Sequence, residues 1–349
     1  MKKNNIFIII PFKESLNLKK AGAVSIYVSD TNKYSKFKKE ISIHSSEEEG
    51  NIFKNKNYIL DFCKQNKNKK IDIIEIHNRP EYVKYVKKYF PNTKIILFYH
   101  NDPVTLRGSE NLTEREYLIN ACSKIIFVSR WIQNKFFTQF MNSNYLDTEV
   151  VYPGVKIPKA TKLKKNKNIL FVGKLNESKG YNIFVEAAKK FKKYDKNWNF
   201  IAIGDEPRKK IFPDKKIINE IGYKSNKEIL DYYLQSEISV GNSVWDEPFG
   251  RLPMESSSRK CLPIVSSIAG LNESKKISYV LKKNTPEYLF KIFKKLNKNK
   301  ILRKKLQNKY YSNNKFDIKN NSLQLDLIRS DLLKDENIIF SKKKIKILH

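Results

Sequence analysis

Two α/β domains in tandem, each a parallel sheet with helices on both faces, are predicted by three features of the sequence. Short apolar runs alternate with helical patterns through the first half of the chain. A lysine-rich segment nearly free of large apolar residues, Lys156–Lys167, then interrupts the alternation as a linker would. Beyond it the alternation restarts, and four successive strand-like runs end in glycine. A length of 349 residues accommodates two domains better than one core.

In the first half the expected strands are Ile6–Ile10, Ile71–Ile76, Ile95–Tyr99, Ile125–Val128 and Val150–Tyr152. Helical patterns lie between them at Tyr58–Lys64, Pro80–Tyr89, Glu114–Cys122 and Trp131–Phe140. In the second half Asn168–Val172 runs into Gly173, Phe200–Ile203 into Gly204, Lys216–Ile221 into Gly222 and Ile238–Val240 into Gly241. A helix over Tyr181–Phe191 and a strand at Leu262–Val265, ending in a serine pair, complete the pattern. One glycine at a strand end needs no more explanation than a tight turn. Four in succession on one sheet edge point to a ligand cleft, because glycine lets backbone approach a ligand where open α/β sheets bind. The resulting division is 1–156, 157–316 and a C-terminal helix with a basic tail over 317–349.

Composition narrows the function classes. A hydrophobic share of 40% with 12% aromatics supports real cores and excludes a disordered chain. No run of eighteen apolar residues indicates a transmembrane helix. The start, Met1 to Pro11, has an apolar run of only five residues ending in proline, so it reads as a first buried strand and not as a signal peptide. Cys63, Cys122 and Cys261 lie far apart with no paired spacing, which fits a reducing cytoplasm and neither a disulfide framework nor a zinc site. The net charge of +33 comes mostly from lysine, amid abundant asparagine, a mixture that looks like codon drift as much as selection. It permits an anionic donor, an anionic membrane surface or nucleic acid, and does not choose among them.

The most informative stretch is Trp245-Asp246-Glu247-Pro248-Phe249-Gly250-Arg251-Leu252-Pro253-Met254-Glu255. Glu247 precedes a turn and Glu255 falls in the first turn of an expected helix. Helix starts suit anionic phosphates, and carboxylates suit sugar and ribose hydroxyls as acceptors. Either glutamate alone reads more simply, Glu255 as a dipole complement and Glu247 as a solvated side chain. The pair in this setting reads as a site.

This segment resembles the signature of family 4 retaining glycosyltransferases, which have the GT-B fold of two facing Rossmann-like domains. Phe171 to Gly180 looks like the family's loop in which two basic residues hold the donor diphosphate, a role that maps onto Lys174 and Lys179. The first is more usually arginine, so a bidentate contact becomes a point charge. Gly204-Asp205-Glu206-Pro207-Arg208 and Ile221-Gly222-Tyr223 fall where the nucleotide base is lined, and Ala269-Gly270-Leu271-Asn272-Glu273 echoes a glycine-rich turn ending in glutamate. Ala21-Gly22 resembles half of a glycine pair near the phosphates. His100, in His100-Asn101-Asp102-Pro103, matches a histidine that reaches the reacting sugar. Ser256-Ser257-Ser258-Arg259-Lys260 departs from the small residues usual after the second glutamate.

The resemblance implies transfer of a sugar from a nucleotide-sugar donor to a saccharide or lipid-linked acceptor, in lipopolysaccharide or surface polysaccharide synthesis. Glu247 and His100 would be catalytic. Phe249, Gly250, Arg251, Leu252 and Glu255 would meet the sugar and ribose, the first four through backbone amides. Lys174, Lys179 and Gly22 would face the diphosphate, with Gly204, Gly222 and Tyr223 at the base. No cofactor and no divalent metal are implied, because the lysines and helix-end amides supply the positive charge. Asn78-Arg79-Pro80 ends another strand on the same edge as His100 and is expected to line the acceptor cleft. The C-terminal helix is expected to pack back on the first domain. The expected place is the cytoplasm, at the inner face of the membrane if Lys342–Lys346 attracts anionic headgroups. A GT-B sugar-nucleotide epimerase and a basic nucleic-acid-binding protein are the competing readings. Basic residues scattered among helices, with no interleaved recognition motif, count against nucleic acid.

Overall fold

A computed structural model describes residues 4–16, 21–46, 55–141, 147–158, 165–208 and 210–334. The middle of the linker and the Lys342–Lys346 tail lie outside the described residues.

The first domain runs β1 (Ile6–Ile9), α1 (Ala23–Tyr34), β2 (Ile41–His44), α2 (Asn55–Asn66), β3 (Ile73–His77), α3 (Tyr82–Tyr89), β4 (Lys94–Tyr99), α4 (Leu112–Ala121), β5 (Lys124–Phe127), α5 (Arg130–Phe136) and β6 (Thr148–Val150). Its strands are parallel in the order β2-β1-β3-β4-β5-β6. The second domain runs β7 (Asn166–Val172), α6 (Tyr181–Tyr194), β8 (Asn199–Ile203), β9 (Ile218–Glu220), α7 (Asn226–Gln235), β10 (Ser236–Gly241), α8 (Leu252–Ser257), β11 (Leu262–Val265), β12 (Tyr279–Val280), α9 (Pro286–Lys298) and α10 (Lys300–Asn313). Its order, β12-β11-β10-β7-β8-β9, is the Rossmann arrangement of two halves wound outward from the centre. The first sheet instead follows the flavodoxin-like order. Two parallel sheets in an α/β chain are what the sequence predicts, and β2 and β12 add one strand to the five expected in each half.

The strands are buried on both faces because helices cover both. Ile73, Ile74 and Ile76 in β3 and Ile169, Leu170 and Phe171 in β7 are all essentially inaccessible. Strand β2 and helix α1 escape sequence reasoning. The residues Ile41-Ser42-Ile43-His44 form a half-exposed edge strand, whose short alternation is a weak signal.

The final helix, α11 (Ile318–Lys334), crosses back to α1 and the first sheet. Arg329, 1% exposed, donates from Nε and Nη2 to both oxygens of Glu75 in β3 at 2.6 and 2.9 Å. Its Nη1 reaches Asp326 at 2.9 Å, and Asp326 accepts from the Ser35 hydroxyl at 2.6 Å and the Lys36 amide at 2.7 Å. A fork-shaped guanidinium suits two fixed carboxylates, so the helix is held in one register.

Candidate functional site

In open α/β sheets ligands bind beyond the strand carboxyl ends where the winding direction reverses. In the second sheet that point lies between β7 and β10, which pair directly. The loops that follow these strands are the two that carry the basic and the acidic motifs.

The loops are laced together by backbone. The amides of Val244 and Trp245 both donate to the Ser178 carbonyl at 3.0 Å, as does the Ser243 hydroxyl at 3.0 Å. The Asn242 side chain donates to the Gly180 carbonyl at 2.9 Å. Gly180 has φ 74°, and a Cβ there would stand 2.1 Å from the Asn242 carbonyl oxygen, so only glycine permits this approach. Asn176 shapes the turn by accepting from the Lys179 amide at 3.1 Å and the Ser178 hydroxyl at 2.8 Å. As a result the Lys179 ammonium contacts Glu247 Oε1, with Glu247 retaining 18% exposure. Lys174 is exposed at the other end of the same loop. The fourteen-residue α6 follows Gly180 with no side-chain cap among the described residues, so its positive end directly follows Lys179.

Three glycines close the adjoining edge. Gly173 donates to Ile203 O and Gly204 to Gly222 O, each at 3.0 Å. Gly204 has φ 143°, and a Cβ on it would lie 2.0 Å from the Gly173 carbonyl oxygen. A Cβ on Gly173 or Gly222 would meet open space, and Tyr223 beyond them is exposed. The ends of β7, β8 and β9 therefore form a bare backbone shelf next to the lysine loop.

Several neighbouring side chains are engaged within the protein, which is separate from the role expected of the backbone amides of Phe249 to Leu252. Phe249 is 2% exposed and packs on Tyr152 and Phe316 at 5.3 and 5.5 Å, so its ring is an apolar plug between domains. Leu252 turns inward and lies against Gly241. Glu255 is 5% exposed, and its Oε1 is taken by Arg251 Nε at 2.9 Å. Arg251 also lies 3.8 Å from Asp30 on α1, so this cation bridges the two domains. Helix α8 has only six residues, too few for a strong dipole at Glu255. The unusual Ser256, Ser257 and Ser258 are buried, and each hydroxyl returns a bond to a preceding carbonyl of its own helix. Gly250 takes φ 80° and faces Leu271, which satisfies a turn.

On the first domain Asn78 does not line a cleft. It is 4% exposed with φ 57°, and its Oδ1 accepts from the His100 and Asn101 amides at 3.2 and 3.1 Å. Asn78 thus holds the loop that carries His100, since asparagine tolerates the left-handed region and caps neighbouring amides. Arg79, half-buried, donates to the Asn78 carbonyl at 2.9 Å. Gly22 starts α1, but the Glu14 carboxylate stands over it, 2.6 Å from where a Cβ would be, and accepts from Ser25 at 2.8 Å. That helix start already has its anion, which argues against a diphosphate there.

Sequence reasoning missed Glu273 as a joint between domains. Its carboxylate caps α5 of the first domain, accepting from the Arg130 and Trp131 amides at 3.1 and 2.8 Å and from the Tyr152 hydroxyl at 2.8 Å. Ser129 donates to Pro248 O at 2.6 Å beside it. The glycine-rich turn at Gly270 gave the position, since a Cβ there would meet Pro248 O at 1.9 Å, but not the partner.

His100 Nε2 lies 2.9 Å from His77 Nδ1. Burial pushes His100 down to about 3 and His77 well below its ordinary value, where the neighbouring His100 and Arg329 act in the same direction. Below about pH 6.5 the unfolded chain therefore binds protons that the folded one refuses, so stability falls as pH falls. Denaturant melts across roughly pH 7.5 to 5 are expected to show this decline, and His77→Phe to make it shallower. An unchanged slope in that variant would contradict the neutral pair.

A polar hollow of about 320 Å³ lined by Asn168, Lys192, Asn199 and Lys216 lies at the opposite, amino edge of the second sheet. Strand carboxyl ends, where such sheets bind ligands, are not there. Among the described residues no group of three or more His, Cys, Asp or Glu is placed to hold a metal, and no helix is long and apolar enough to cross a membrane.

Residues 155–313 match the family model described as glycosyl transferases group 1. Spore coat protein SA of Bacillus subtilis (strain 168) is 26% identical over 241 residues, covering 59% of this chain and 62% of that relative. The chain thus spans less than two thirds of the relative's length. Among solved structures, a glycosyltransferase from Rickettsia africae superposes with a TM-score of 0.74 at 19% identity, over 96% of this chain and 100% of its own. Anabaena Alr3699/HepE in complex with UDP-glucose gives 0.67 at 14% identity, over 93% and 99%. These likenesses establish the shared fold.

Proposed function

We propose, from the match of residues 155–313 to the glycosyl transferases group 1 model, that this protein transfers a sugar from a nucleotide-sugar donor to a saccharide or lipid-linked acceptor. The observation that carries the reading is the meeting of Lys179, Glu247 and the start of α6 at the switch point of the second sheet, with exposed Lys174 at the other end of the same loop. In the donor complex Lys174, Lys179 and the first amides of α6 face the diphosphate. Glu247 accepts from hydroxyls of the transferred sugar, and the shelf of Gly173, Gly204 and Gly222 with Tyr223 takes the base. The UDP and UDP-glucose bound by the Anabaena neighbour favour a uridine nucleotide.

The reaction breaks the bond between the anomeric carbon and the diphosphate oxygen. The acceptor hydroxyl oxygen bonds to that carbon on the same face, with retention, and its proton leaves with the diphosphate. Lys174, Lys179 and the helix end stabilise the charge that develops on the leaving group, which is why no divalent ion is required. His100, on the first domain, meets the sugar. With Glu255 spent on Arg251, ribose contacts fall to backbone near Gly250 and to whatever Glu255 surface remains. Surface polysaccharide or lipopolysaccharide assembly at the cytoplasmic face of the membrane is the setting proposed, with lysines attracting anionic headgroups.

A thermal-shift panel of nucleoside diphosphates and nucleotide sugars tests this. A ligand at 100 times its Kd stabilises the fold by about 2.7 kcal/mol, an easily seen shift. Uridine diphosphates are expected to lead the panel, equally with and without chelator. No shift from any member opposes the proposal, and a shift that appears only with magnesium or manganese opposes the metal-free part.

A further inference from the structure

We propose that His77, buried beside His100, is a positioning residue that fixes which ring nitrogen His100 presents to the donor sugar. The inference rests on the role given to His100 above. Its geometry is independent of that role.

A contact of 2.9 Å between His77 Nδ1 and His100 Nε2 needs one hydrogen and one lone pair. Two hydrogens repel and two lone pairs repel. Both rings are held neutral by burial, so each carries a single N–H, and which ring donates is set by what faces its other nitrogen. The His77 ring cannot turn to evade the choice. It is 1% exposed and stacked on Phe98 with centroids 4.2 Å apart and planes 9° from parallel.

Its other nitrogen, Nε2, has no hydrogen-bond partner among the described residues and lies 4.0 Å from Glu75 Oε2. A lone pair aimed at a carboxylate is repelled, and an N–H is attracted. Glu75 is itself fixed by the two-pronged bond from Arg329, so its position does not adjust to the histidine. The proton of His77 therefore resides on Nε2 and its Nδ1 is the acceptor. His100 must donate from Nε2, which leaves its Nδ1 as a lone pair able to accept from a sugar hydroxyl. Tyr27, edge-on to His100 at 5.0 Å, and the Asn78 clamp on the His100 amide hold the ring and backbone in that pose. The chain from Arg329 through Glu75 and His77 thus ends at the reacting sugar. It is a buried relay of orientation that moves no proton.

Nitrogen NMR of the full chain labelled at its four histidines reads the tautomers directly. The expected spectrum has His100 protonated at Nε2 and bare at Nδ1, and His77 protonated at Nε2. The reverse pattern overturns the inference whatever any variant does. His77→Phe, checked for folding by melting, is expected to give His100 a mixture of tautomers. UDP release from UDP-glucose by that variant should fall about 10- to 100-fold, as when a partner that orients an imidazole is lost. Affinity for UDP should stay unchanged, and His77→Gln, which offers a carbonyl oxygen in place of Nδ1, should recover much of the rate. An unaltered His100 tautomer in His77→Phe overturns the proposal. If UDP-glucose is not turned over by any form, glucose is not the transferred sugar, while the spectrum still decides the dyad.

Discussion

Glu247→Gln is expected to lower sugar transfer by about 10²- to 10³-fold, the loss seen when one preorganised polar contact to a transition state is removed. The change keeps the shape of the side chain and removes its charge. Glu247 is 18% exposed, and its ion pair with Lys179 is of the partly solvated kind worth about 0–1 kcal/mol. Its backbone carbonyl, which accepts from Gly270 at 2.9 Å, is untouched, so the loop should keep its course. The variant should therefore melt close to the parent and bind nucleoside diphosphate at least as well, because Lys179 is released from its partner. Steady-state turnover and calorimetric binding together check this. Full turnover with normal melting would remove Glu247 from the chemistry.

Arg329→Met should have the largest effect on stability. It leaves Glu75, 1% exposed, and Asp326 with buried charges that, among the described residues, Arg329 alone opposes at close range. Breaking such a buried pair from one side costs about 3–5 kcal/mol. Replacing both Arg329 by Met and Glu75 by Gln should recover part of this, since a neutral amide costs less to bury than a lone carboxylate. Urea melts of the single and double variants measure both quantities. A single variant as stable as the parent would mean that α11 is not fastened through this network.

Much of the architecture was legible because buried parallel strands read as apolar runs. Ile73 to Ile76 and Leu262 to Val265 were found in place, and even the glycine series at Gly173, Gly204, Gly222 and Gly241 fell on one sheet edge. The edge strand Ile41–His44 was missed because a half-exposed strand of four residues carries little periodic signal.

At the site, local motifs named the loops but not the direction of each side chain. Lys179 and Glu247 meet, yet Phe249 turns into the domain interface and Glu255 into an ion pair with Arg251. The course of Phe249 depends on Tyr152 and Phe316, partners distant in sequence that no spacing rule reaches, whereas the Arg251–Glu255 pair is an i,i+4 spacing that was open to reading. Glu75 was an overlooked clue within a strand. An acid inside Ile73-Ile74-Glu75-Ile76 has to find a buried cation, and Arg329 lies 254 residues away.

The central claim, that the lysine loop at the second switch point holds a donor diphosphate, is tested most directly by calorimetry on Lys174→Ala/Lys179→Ala. Each charge-assisted bond contributes about 1.5–3 kcal/mol, so UDP should bind at least 100-fold more weakly to the double variant. Uridine, which lacks the phosphates, should bind parent and variant alike. Equal weakening of UDP and uridine, or no weakening of either, would contradict the account.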